Sequence, residues 1–266
     1  MSKIISICNQ KGGVGKTTTA ISLTASLAAA EKKVLLVDMD PQSNATSGLG
    51  FEKRSIIPNT YTVLLGQKSS QDPLIPTMME TFHLLPSTPE LVGAEVELIH
   101  MEGRETRLRQ ALTPLKDRYD YIIIDAPPSL SILTINALTA SDTVLVPVQC
   151  EYFALEGISE LMHTIELVKG SLNSTLEVEG ILLTMHDPRN NLCHQVVTEI
   201  RQHFNDLVYQ TMIPRSVRLA EAPSHGKPIL LYDVRSKGAQ CYLELAQEFL
   251  ARQELGPQEE QVSLSA

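Results

Sequence analysis

Glycines, lysines and threonines between residues 11 and 18 have an order suited to phosphate binding: Lys11-Gly-Gly-Val-Gly-Lys-Thr-Thr18. The run follows an apolar segment at 4–8 and precedes a helical pattern at 19–30. Glycines let backbone N–H groups approach phosphate oxygens, and the following helix adds the positive end of its dipole. The sequence therefore predicts a phosphate-binding loop in which Lys16 reaches the β- and γ-phosphates and Thr17 ligates Mg²⁺. The predicted ligands are Lys11, Gly12, Gly13, Val14, Gly15, Lys16, Thr17 and Thr18.

The start of this loop departs from the general pattern G-x-x-x-x-G-K-[ST]. A loop ending at Thr17 should have glycine at position 10, where the chain has Gln10, and a second lysine follows at Lys11. A cation there is badly placed for phosphates in its own loop, so we predict that Lys11 reaches a nucleotide in a facing subunit. The alternative is a glycine-rich turn with two solvated lysines, against which strand, loop and helix signals agree.

Carboxylates directly follow two other apolar runs. Asp38 and Asp40 come after a run ending at Val37, and their spacing places them on the same side of an extended chain. Asp125 follows three isoleucines at 122–124, a Walker B pattern in which the carboxylate holds Mg²⁺ through water. Each carboxylate taken alone also fits a polar exit from a strand into a loop. The predicted metal residues are Thr17, Asp38 and Asp125.

Short apolar runs rich in β-branched residues alternate with helical patterns along the chain. Runs such as 34–37 and 144–146 are apolar on both faces, as parallel strands covered by helices are. We predict an α/β fold with a doubly wound, mostly parallel sheet that binds ligands at the carboxyl ends of its strands. Predicted strands lie at 3–8, 33–38, 82–85, 120–124, 142–148, 178–185 and 208–213. Predicted helices lie near 16–30, 104–117, 131–139, 155–170, 191–204 and 238–252.

Composition bounds the class of protein. At 266 residues and 43% hydrophobic, the chain can form one large α/β domain. No apolar run reaches the roughly 18 residues that span a bilayer, and no cleavable leader precedes the loop, so we expect a cytoplasmic protein. Four widely spaced cysteines fit no metal pattern and are predicted to be reduced, largely buried thiols. We assign 1–253 to a single domain, 48–89 to an insertion with short helices and a hairpin, and 254–266 to a disordered tail.

The run at 11–18 resembles the deviant Walker A loop of the ParA/MinD ATPases, a group that includes the nitrogenase iron protein. Lys11 matches the signature lysine of that group, and later segments are most similar to ParA/Soj partition ATPases, from about residue 3 to about residue 251. The resemblance implies ATP and Mg²⁺ as cofactors and Lys11, Lys16 and Asp40 as catalytic residues, with Asp40 positioning the attacking water. It also implies a homodimer formed with ATP, nonspecific binding to double-stranded DNA of the nucleoid, and slow hydrolysis stimulated by a ParB-type centromere-binding partner.

Two more segments carry this resemblance. In the family, the region matching 148–157 helps to line the dimer interface, and the regions matching 184–187 and 212–228 lie near the adenine base. The resemblance thus adds Met185, Pro214 and Arg215 to the ATP-binding residues, beside Asp125. Ordinary loops at strand ends are the alternative interpretation.

Basic residues outnumber acidic ones by five to two between 215 and 237, in a chain whose net charge is −9. Such a patch can contact DNA phosphates without sequence preference and with strong salt dependence. The alternative is an ordinary solvated surface. Composition alone favours this alternative, whereas the resemblance favours DNA binding. The predicted DNA-binding residues are Arg189, Arg201, Arg218, Lys227 and Lys237.

Two other functions of the same group remain as alternatives. A MinD-type ATPase that cycles on membranes needs a basic amphipathic helix at its C-terminus, whereas this chain ends in an acidic, proline-containing segment. A reductase like the nitrogenase iron protein needs two cysteines at the dimer face, and Cys150 has no second cysteine in the segment after Asp125.

Overall fold

A seven-stranded sheet of order β3-β4-β2-β5-β1-β6-β7 forms the centre of the computed structural model, which describes residues 2–54, 56, 59–70 and 74–255. Six strands are parallel, and the short strand β3 pairs antiparallel with β4. The predicted fold class is therefore confirmed. The strands are β1 (Lys3–Ile7), β2 (Val34–Asp38), β3 (Ile75–Pro76), β4 (Phe82–Leu85), β5 (Tyr121–Asp125), β6 (Thr143–Gln149) and β7 (Glu177–Thr184).

Helices cover both faces of this sheet, because its central strands are apolar on both sides. One hydrophobic cluster joins the sheet to α3 through α8, and the other joins it to α1, α2 and α9 through α11. The helices are α1 (Lys16–Ala29), α2 (Asn44–Gly48), α3 (Thr60–Leu64), α4 (Leu91–Glu97), α5 (Arg107–Leu112), α6 (Ile132–Ala140), α7 (Ala154–Ser171), α8 (Asn191–Phe204), α9 (Val217–Glu221), α10 (Ile229–Tyr232) and α11 (Lys237–Leu255).

The register of the three central strands aligns their carboxyl ends. Asp125 at the end of β5 pairs in register with Ile7 at the end of β1 and with Asp38 at the end of β2. The loops that follow these strands therefore leave the sheet side by side. This alignment positions the candidate site.

The prediction of a strand at 208–213 is wrong. Within the described residues this stretch forms only isolated bridges, from Val208 to Ile181 on β7 and from Pro214 to His186 just beyond it. The N–H groups of Tyr209 and Ile213 also donate to the β7 carbonyls of Ile181 and Leu183, each at 2.9 Å. Between them, the backbone N–H groups of Gln210 and Thr211 donate to the carboxylate of Glu248 on α11, at 2.8 and 2.9 Å. A side chain therefore takes the two backbone donors in the middle of the stretch, so the hydrogen bonds on either side do not join into a continuous ladder.

The predicted helix at 104–117 is interrupted. It consists of a 3₁₀ turn at Arg104–Thr106, the six-residue α5 and a second 3₁₀ turn at Thr113–Leu115, where Pro114 lacks the N–H that would continue an α-helix. Short helices at α4, α9 and α10 were not predicted.

The insertion at 48–89 contains the expected short helix α3 and hairpin β3–β4. Pro58 and Pro73 of this insertion lie outside the described residues. The predicted tail also lies outside them from residue 256 onward. Helix α11 ends at Leu255, two residues past the predicted domain boundary. All four cysteines are buried free thiols, as predicted. In the part of the chain that the structure describes, no helix is long and apolar enough to cross a membrane.

Candidate functional site

The glycine-rich loop joins β1 to α1 at the carboxyl edge of the sheet. Gly13 and Gly15 have φ angles of 77° and 90°, a left-handed conformation that glycine adopts without steric cost. Gly15 is the N-cap of α1, and its carbonyl accepts the first helical hydrogen bond, from Thr19 N–H at 2.9 Å. The unpaired N–H groups of the first helical turn therefore face the loop, as anion binding requires.

Lys16 lies folded over this loop. Its Nζ donates to the backbone carbonyl of Lys11 at 3.0 Å, and the side chain is buried. Burial lowers the pKa of Lys16, while Asp125, Cys8 and Asp40 act in the opposite direction. A buried ammonium whose hydrogen bond within the described residues is to a neutral carbonyl is poised to exchange that carbonyl for a stronger anionic ligand.

Two polar residues hold the loop to neighbouring strands. Asn9 donates from Nδ2 to the carbonyl of Pro147 at 2.7 Å and accepts the N–H of Lys11 at 2.9 Å. Thr184, the last residue of β7, donates from its hydroxyl to the carbonyl of Val14 at 2.8 Å. Sequence reasoning did not assign Asn9 a role, because its hydrogen bond to the Pro147 carbonyl joins residues that are far apart in the sequence.

Lys11 points away from the interior of its own loop. Its Nζ forms a 2.8 Å ion pair with Glu151, and both side chains are more than two-fifths exposed. Gln149 Nε2 donates to the other oxygen of the Glu151 carboxylate. The two lysines of the loop thus differ in setting, one buried over the phosphate cradle and the other at the surface.

The two neighbouring aspartates at the strand ends differ in their hydrogen bonds. Asp38 is fully buried, and its oxygens accept from the Thr46 N–H (2.8 Å), the Thr46 hydroxyl (2.7 Å) and the Asp40 N–H (3.2 Å). Burial raises the pKa of Asp38 to about 6 despite these donors. Neither carboxylate oxygen of Asp125 has a hydrogen-bond partner among the described residues, and burial raises its pKa well above the usual range.

A buried carboxylate without a donor fits a divalent cation, since a cation would supply the missing positive charge. Asp125 therefore fits the predicted Mg²⁺ site, and the nearby Thr17 hydroxyl acts against burial by lowering the pKa of this carboxyl. The Asp38 carboxylate already accepts hydrogen bonds from Thr46 on α2, so its first role is to hold α2 in place. Among the described residues no cluster of three histidine, cysteine or acidic side chains forms a protein-only metal cage, which is usual for Mg²⁺, because this ion retains waters and substrate oxygens.

Asp40 lies at the rim of this site and is largely buried. Its Oδ1 accepts the N–H of Gln42 at 2.9 Å, and its carbonyl accepts the hydroxyl of Ser87 at 2.8 Å. Ser87 N–H in turn donates to the Thr46 hydroxyl at 2.9 Å. Thr46 and Ser87 thus position both aspartates, and sequence reasoning missed Ser87 because it lies 47 residues further along the chain.

A cavity of about 360 Å³ opens beside the loop. Gly15 and Thr18 line it from the loop and from α1, and Met185, Pro214 and Arg215 line it from the two segments predicted to lie near the base. Met185 is left-handed at φ 51°, and His186 N–H donates to the Ile213 carbonyl at 3.0 Å, which brings the two predicted base-binding segments together. Val217 and Leu219, from the predicted segment at 212–228, also line the cavity, whereas Tyr242 on α11 is a lining residue that sequence reasoning missed.

The predicted DNA-binding residues are less uniform. Arg189 forms an ion pair with Asp187 at 2.9 Å, and Arg218 forms pairs with Glu221 at 3.0 Å and with Asp233 at 3.6 Å. Arg201 is half-buried, and its guanidinium donates to the carbonyl of Gln210 at 3.3 Å. Lys227 and Lys237 are exposed and have no ion pair within the described residues.

Comparisons with known proteins agree with this geometry. A family model described as an AAA domain matches residues 2–178. The chain is 58% identical over 252 residues to the chromosome partitioning protein ParA of Myxococcus xanthus, covering 95% of this chain and 89% of that protein. It is 57% identical over 251 residues to the sporulation initiation inhibitor protein Soj of Bacillus subtilis, covering 94% and 99%.

A solved structure shares the fold. The cobyrinic acid a,c-diamide synthase of Mycobacterium smegmatis, with a bound ATP analogue and magnesium, matches with a TM-score of 0.85 at 36% identity, covering 97% of this chain and 98% of that one. Similarity to the two partitioning proteins is much higher than to the synthase.

Proposed function

The chain belongs to the ParA/Soj family of chromosome-partitioning ATPases, and we propose that ATP joins two copies of it into a dimer that binds DNA. Hydrolysis of ATP then releases the dimer. The observation that carries this proposal is the contrast between the two lysines of the phosphate loop. Lys16 is buried over its own loop, whereas Lys11 is exposed and paired with a surface carboxylate.

A lysine that faces outward from its own phosphate loop would be able to contact a nucleotide bound by another copy. Lys11 would exchange the exposed Glu151 carboxylate for the phosphates of a nucleotide held by the second copy. An exposed ion pair stabilises a protein by only about 0–1 kcal/mol, so this exchange has a small cost. The triphosphate would then be part of the interface, and dimer formation would depend on it.

Exposed aromatic rings near Lys11 support the same surface as the interface. Tyr152 and Phe153 are 75% and 62% exposed, with ring centroids 5.1 Å apart. Large aromatic side chains exposed together on a monomer usually mark a surface that another molecule covers. They follow Glu151 directly in the chain.

For hydrolysis, we assign Asp125 and the Thr17 hydroxyl to holding Mg²⁺. Bound Mg²⁺ would offset negative charge on the phosphates. Lys16 would neutralise charge on the β- and γ-phosphates from its buried position, and Asp40 would orient the attacking water. Asp38 would keep Asp40 in place through the backbone N–H of Asp40, since their hydrogen bond measures 3.2 Å.

DNA binding would rest mainly on Lys227 and Lys237, which are exposed. The ion pairs of Arg189 and Arg218 would have to break or be shared before these residues contact phosphate. Two copies in a dimer would double the phosphate contacts, and this links ATP to DNA affinity. A ParB-type centromere-binding protein would stimulate hydrolysis and so end the bound state.

Light scattering after gel filtration tests the proposal on Asp40→Ala, which should bind ATP but hydrolyse it very slowly. We expect a monomer without nucleotide and a dimer with ATP and Mg²⁺, and we expect a nonspecific DNA duplex to elute with the dimer only. A monomer at saturating ATP and Mg²⁺ would show that the proposal is wrong.

The matched control is a pair of lysine changes in the Asp40→Ala background. Lys11→Ala should abolish the dimer while ATP still binds, because the lysine that contacts the second nucleotide is gone. Lys33→Ala, at an exposed position before β2 on the opposite edge of the sheet, should leave the dimer unchanged.

A further inference from the structure

Helix α11 borders the cavity beside the phosphate loop with one of its turns. Gly238 and Tyr242 are four residues apart and therefore lie on the same face of this helix. Tyr242 lines the cavity of about 360 Å³, and Leu219, which also lines it, packs directly on Gly238. Leu219 belongs to the segment at 212–228 that is predicted to lie near the base. We call the part of the cavity that this segment lines the base end.

Gly238 leaves the space that Leu219 occupies. A Cβ added at Gly238 would lie 2.7 Å from Cγ of Leu219 and 3.0 and 3.1 Å from its two Cδ atoms, which is closer than van der Waals contact allows. Leu219 is 8% exposed, so the open cavity is the space into which its side chain could move. The absence of a side chain at position 238 therefore determines how far Leu219 extends into the base end.

Tyr242 adds a rigid ring to the same part of the cavity. The residue is 1% exposed, and its hydroxyl lies 3.0 Å from the hydroxyl of Thr19 on α1, which is hydrogen-bond distance. A buried ring that is held at its far end cannot rotate away from a ligand at low cost. Because its hydroxyl is already bonded to α1, Tyr242 contributes mainly its shape to the cavity.

The other side chains of the base end are mostly apolar. Ile213, Val217 and Ala220 line it together with Leu219. Apolar walls bind a flat aromatic ring by burying its faces. They distinguish such rings by size, because a group that does not fit must displace side chains that are already packed.

We propose that Tyr242 is a specificity-determining residue of the cavity and that Gly238 is a positioning residue that acts through Leu219. Together they set the width of the base end, so that it accepts an unsubstituted adenine ring and rejects adenine rings that carry a bulky group. This inference rests on the proposed function only in placing the base at this end of the cavity. Dimer formation and DNA binding do not enter it.

Displacement of a ribose-labelled fluorescent ATP in the presence of Mg²⁺ measures the affinity of the full chain for three nucleotides. These are ATP, ATP with a benzyl group on its exocyclic amine, and ATP with a hexylthio group on C2 of the base. The wild type should bind at least one of the two substituted nucleotides about tenfold more weakly than ATP. Tyr242→Leu should reduce that ratio to about threefold or less, because the shorter side chain opens the base end.

The matched control is Phe249→Leu, which shortens another buried aromatic side chain of α11. The ring of Phe249 contacts that of Tyr121, with centroids 5.3 Å apart, and it does not line the cavity. The affinity ratio of this variant should equal that of the wild type. Tyr242→Phe keeps the ring and should keep the substituted nucleotide excluded, which separates the effect of the ring from that of its hydroxyl.

Gly238→Ala tests the same part of the cavity in the opposite direction and does not depend on the folding of the Tyr242 variants. The added methyl group should move Leu219 into the base end and weaken ATP binding about three- to tenfold. In the Leu219→Ala background, where the clash is absent, the same change should have little effect. Gly170→Ala on α7 is the control, because a Cβ added there meets nothing within 4 Å.

Three results would overturn the inference. These are equal affinity of the wild type for ATP and both substituted nucleotides, equal affinity ratios in Tyr242→Leu and Phe249→Leu, and an effect of Gly238→Ala that is the same with and without the Leu219 side chain. A wild type that selects ATP over a substituted nucleotide but remains a monomer contradicts the proposed dimer alone. One that forms a dimer with both substituted nucleotides as readily as with ATP contradicts this inference alone.

Discussion

The phosphate loop with its aspartates and the basic segment at 215–237 both concentrate charged side chains, but they stabilise those charges differently. Around the loop, Lys16, Asp38 and Asp125 are buried, and Asp125 lacks any donor within the described residues. In the basic segment, Arg218 is exposed and satisfied by two nearby carboxylates. A buried charge without hydrogen-bond partners is costly until a ligand binds it, whereas an exposed charge in an ion pair is stable in water without a ligand.

The largest effect on ligand binding should come from a change to the buried charges around the phosphate loop. Lys16→Ala is expected to weaken ATP binding by more than about 100-fold, because several charge-assisted hydrogen bonds of about 1.5–3 kcal/mol each would be lost. Titration with a fluorescent ATP analogue measures this. Lys33→Ala is the control for removing one positive charge, and a loss below tenfold in Lys16→Ala would contradict the assignment.

The two buried aspartates should respond in opposite directions to loss of the same charge. Asp125→Asn should raise the free energy of unfolding of the nucleotide-free protein by about 1 kcal/mol, since a buried carboxylate without donors becomes neutral. Asp38→Asn should lower it by about 1–3 kcal/mol, because an amide cannot accept all the donors that converge there. Urea denaturation without nucleotide decides this. Changes of equal sign would show that hydrogen bonding does not distinguish the two carboxylates.

Among the exposed basic residues, those without an ion pair should contribute more to DNA binding than those with one. Lys227→Glu with Lys237→Glu is expected to reduce affinity for a nonspecific duplex about tenfold at moderate salt, since phosphate contacts are replaced by repulsion. Arg189→Glu and Arg218→Glu should have smaller effects. All are compared in the Asp40→Ala background with ATP, and dimer formation should persist. Unchanged affinity in the double variant would move the DNA-binding surface elsewhere.

The smallest effect concerns the surface ion pair of Lys11. Glu151→Gln should strengthen ATP-dependent dimer formation about two- to fivefold, because Lys11 no longer exchanges a carboxylate for phosphate and the pair is worth less than about 1 kcal/mol. Sedimentation in low salt measures the dimer constant. Glu166→Gln serves as the control, and a weaker dimer in Glu151→Gln would mean that this carboxylate supports the interface.

Much of the site could be predicted because its residues directly follow buried strands. Parallel strands bring their carboxyl ends to one edge, so the loop at 11–18, Asp38, Asp40 and Asp125 had to lie near one another. Asn9 and Ser87 were missed because their roles depend on hydrogen bonds to residues far away in the sequence. The helices α4, α9 and α10 are too short for a 3.6-residue period to become visible.

The failed prediction at 208–213 has a similar physical origin. Apolar residues there favoured a strand, but the carboxylate of Glu248 accepts the backbone N–H groups of Gln210 and Thr211 in the middle of the stretch. Competition between a side chain and a ladder is decided by tertiary structure and leaves no local pattern. The difference between Asp38 and Asp125 likewise depends on Thr46, whose approach to one carboxylate and not the other follows from the path of α2.

The hydroxyl bond from Thr184 to the Val14 carbonyl has one more consequence. Thr184 fixes the predicted phosphate loop, and the next residue, Met185, adopts a left-handed conformation in the part of the cavity wall that is predicted to face the base. If a nucleotide binds there as proposed, these two adjacent residues would set the distance between its phosphate end and its base end. The end of β7 would therefore select ligands by their length, and the length that fits would be set by the protein and not by the ligand.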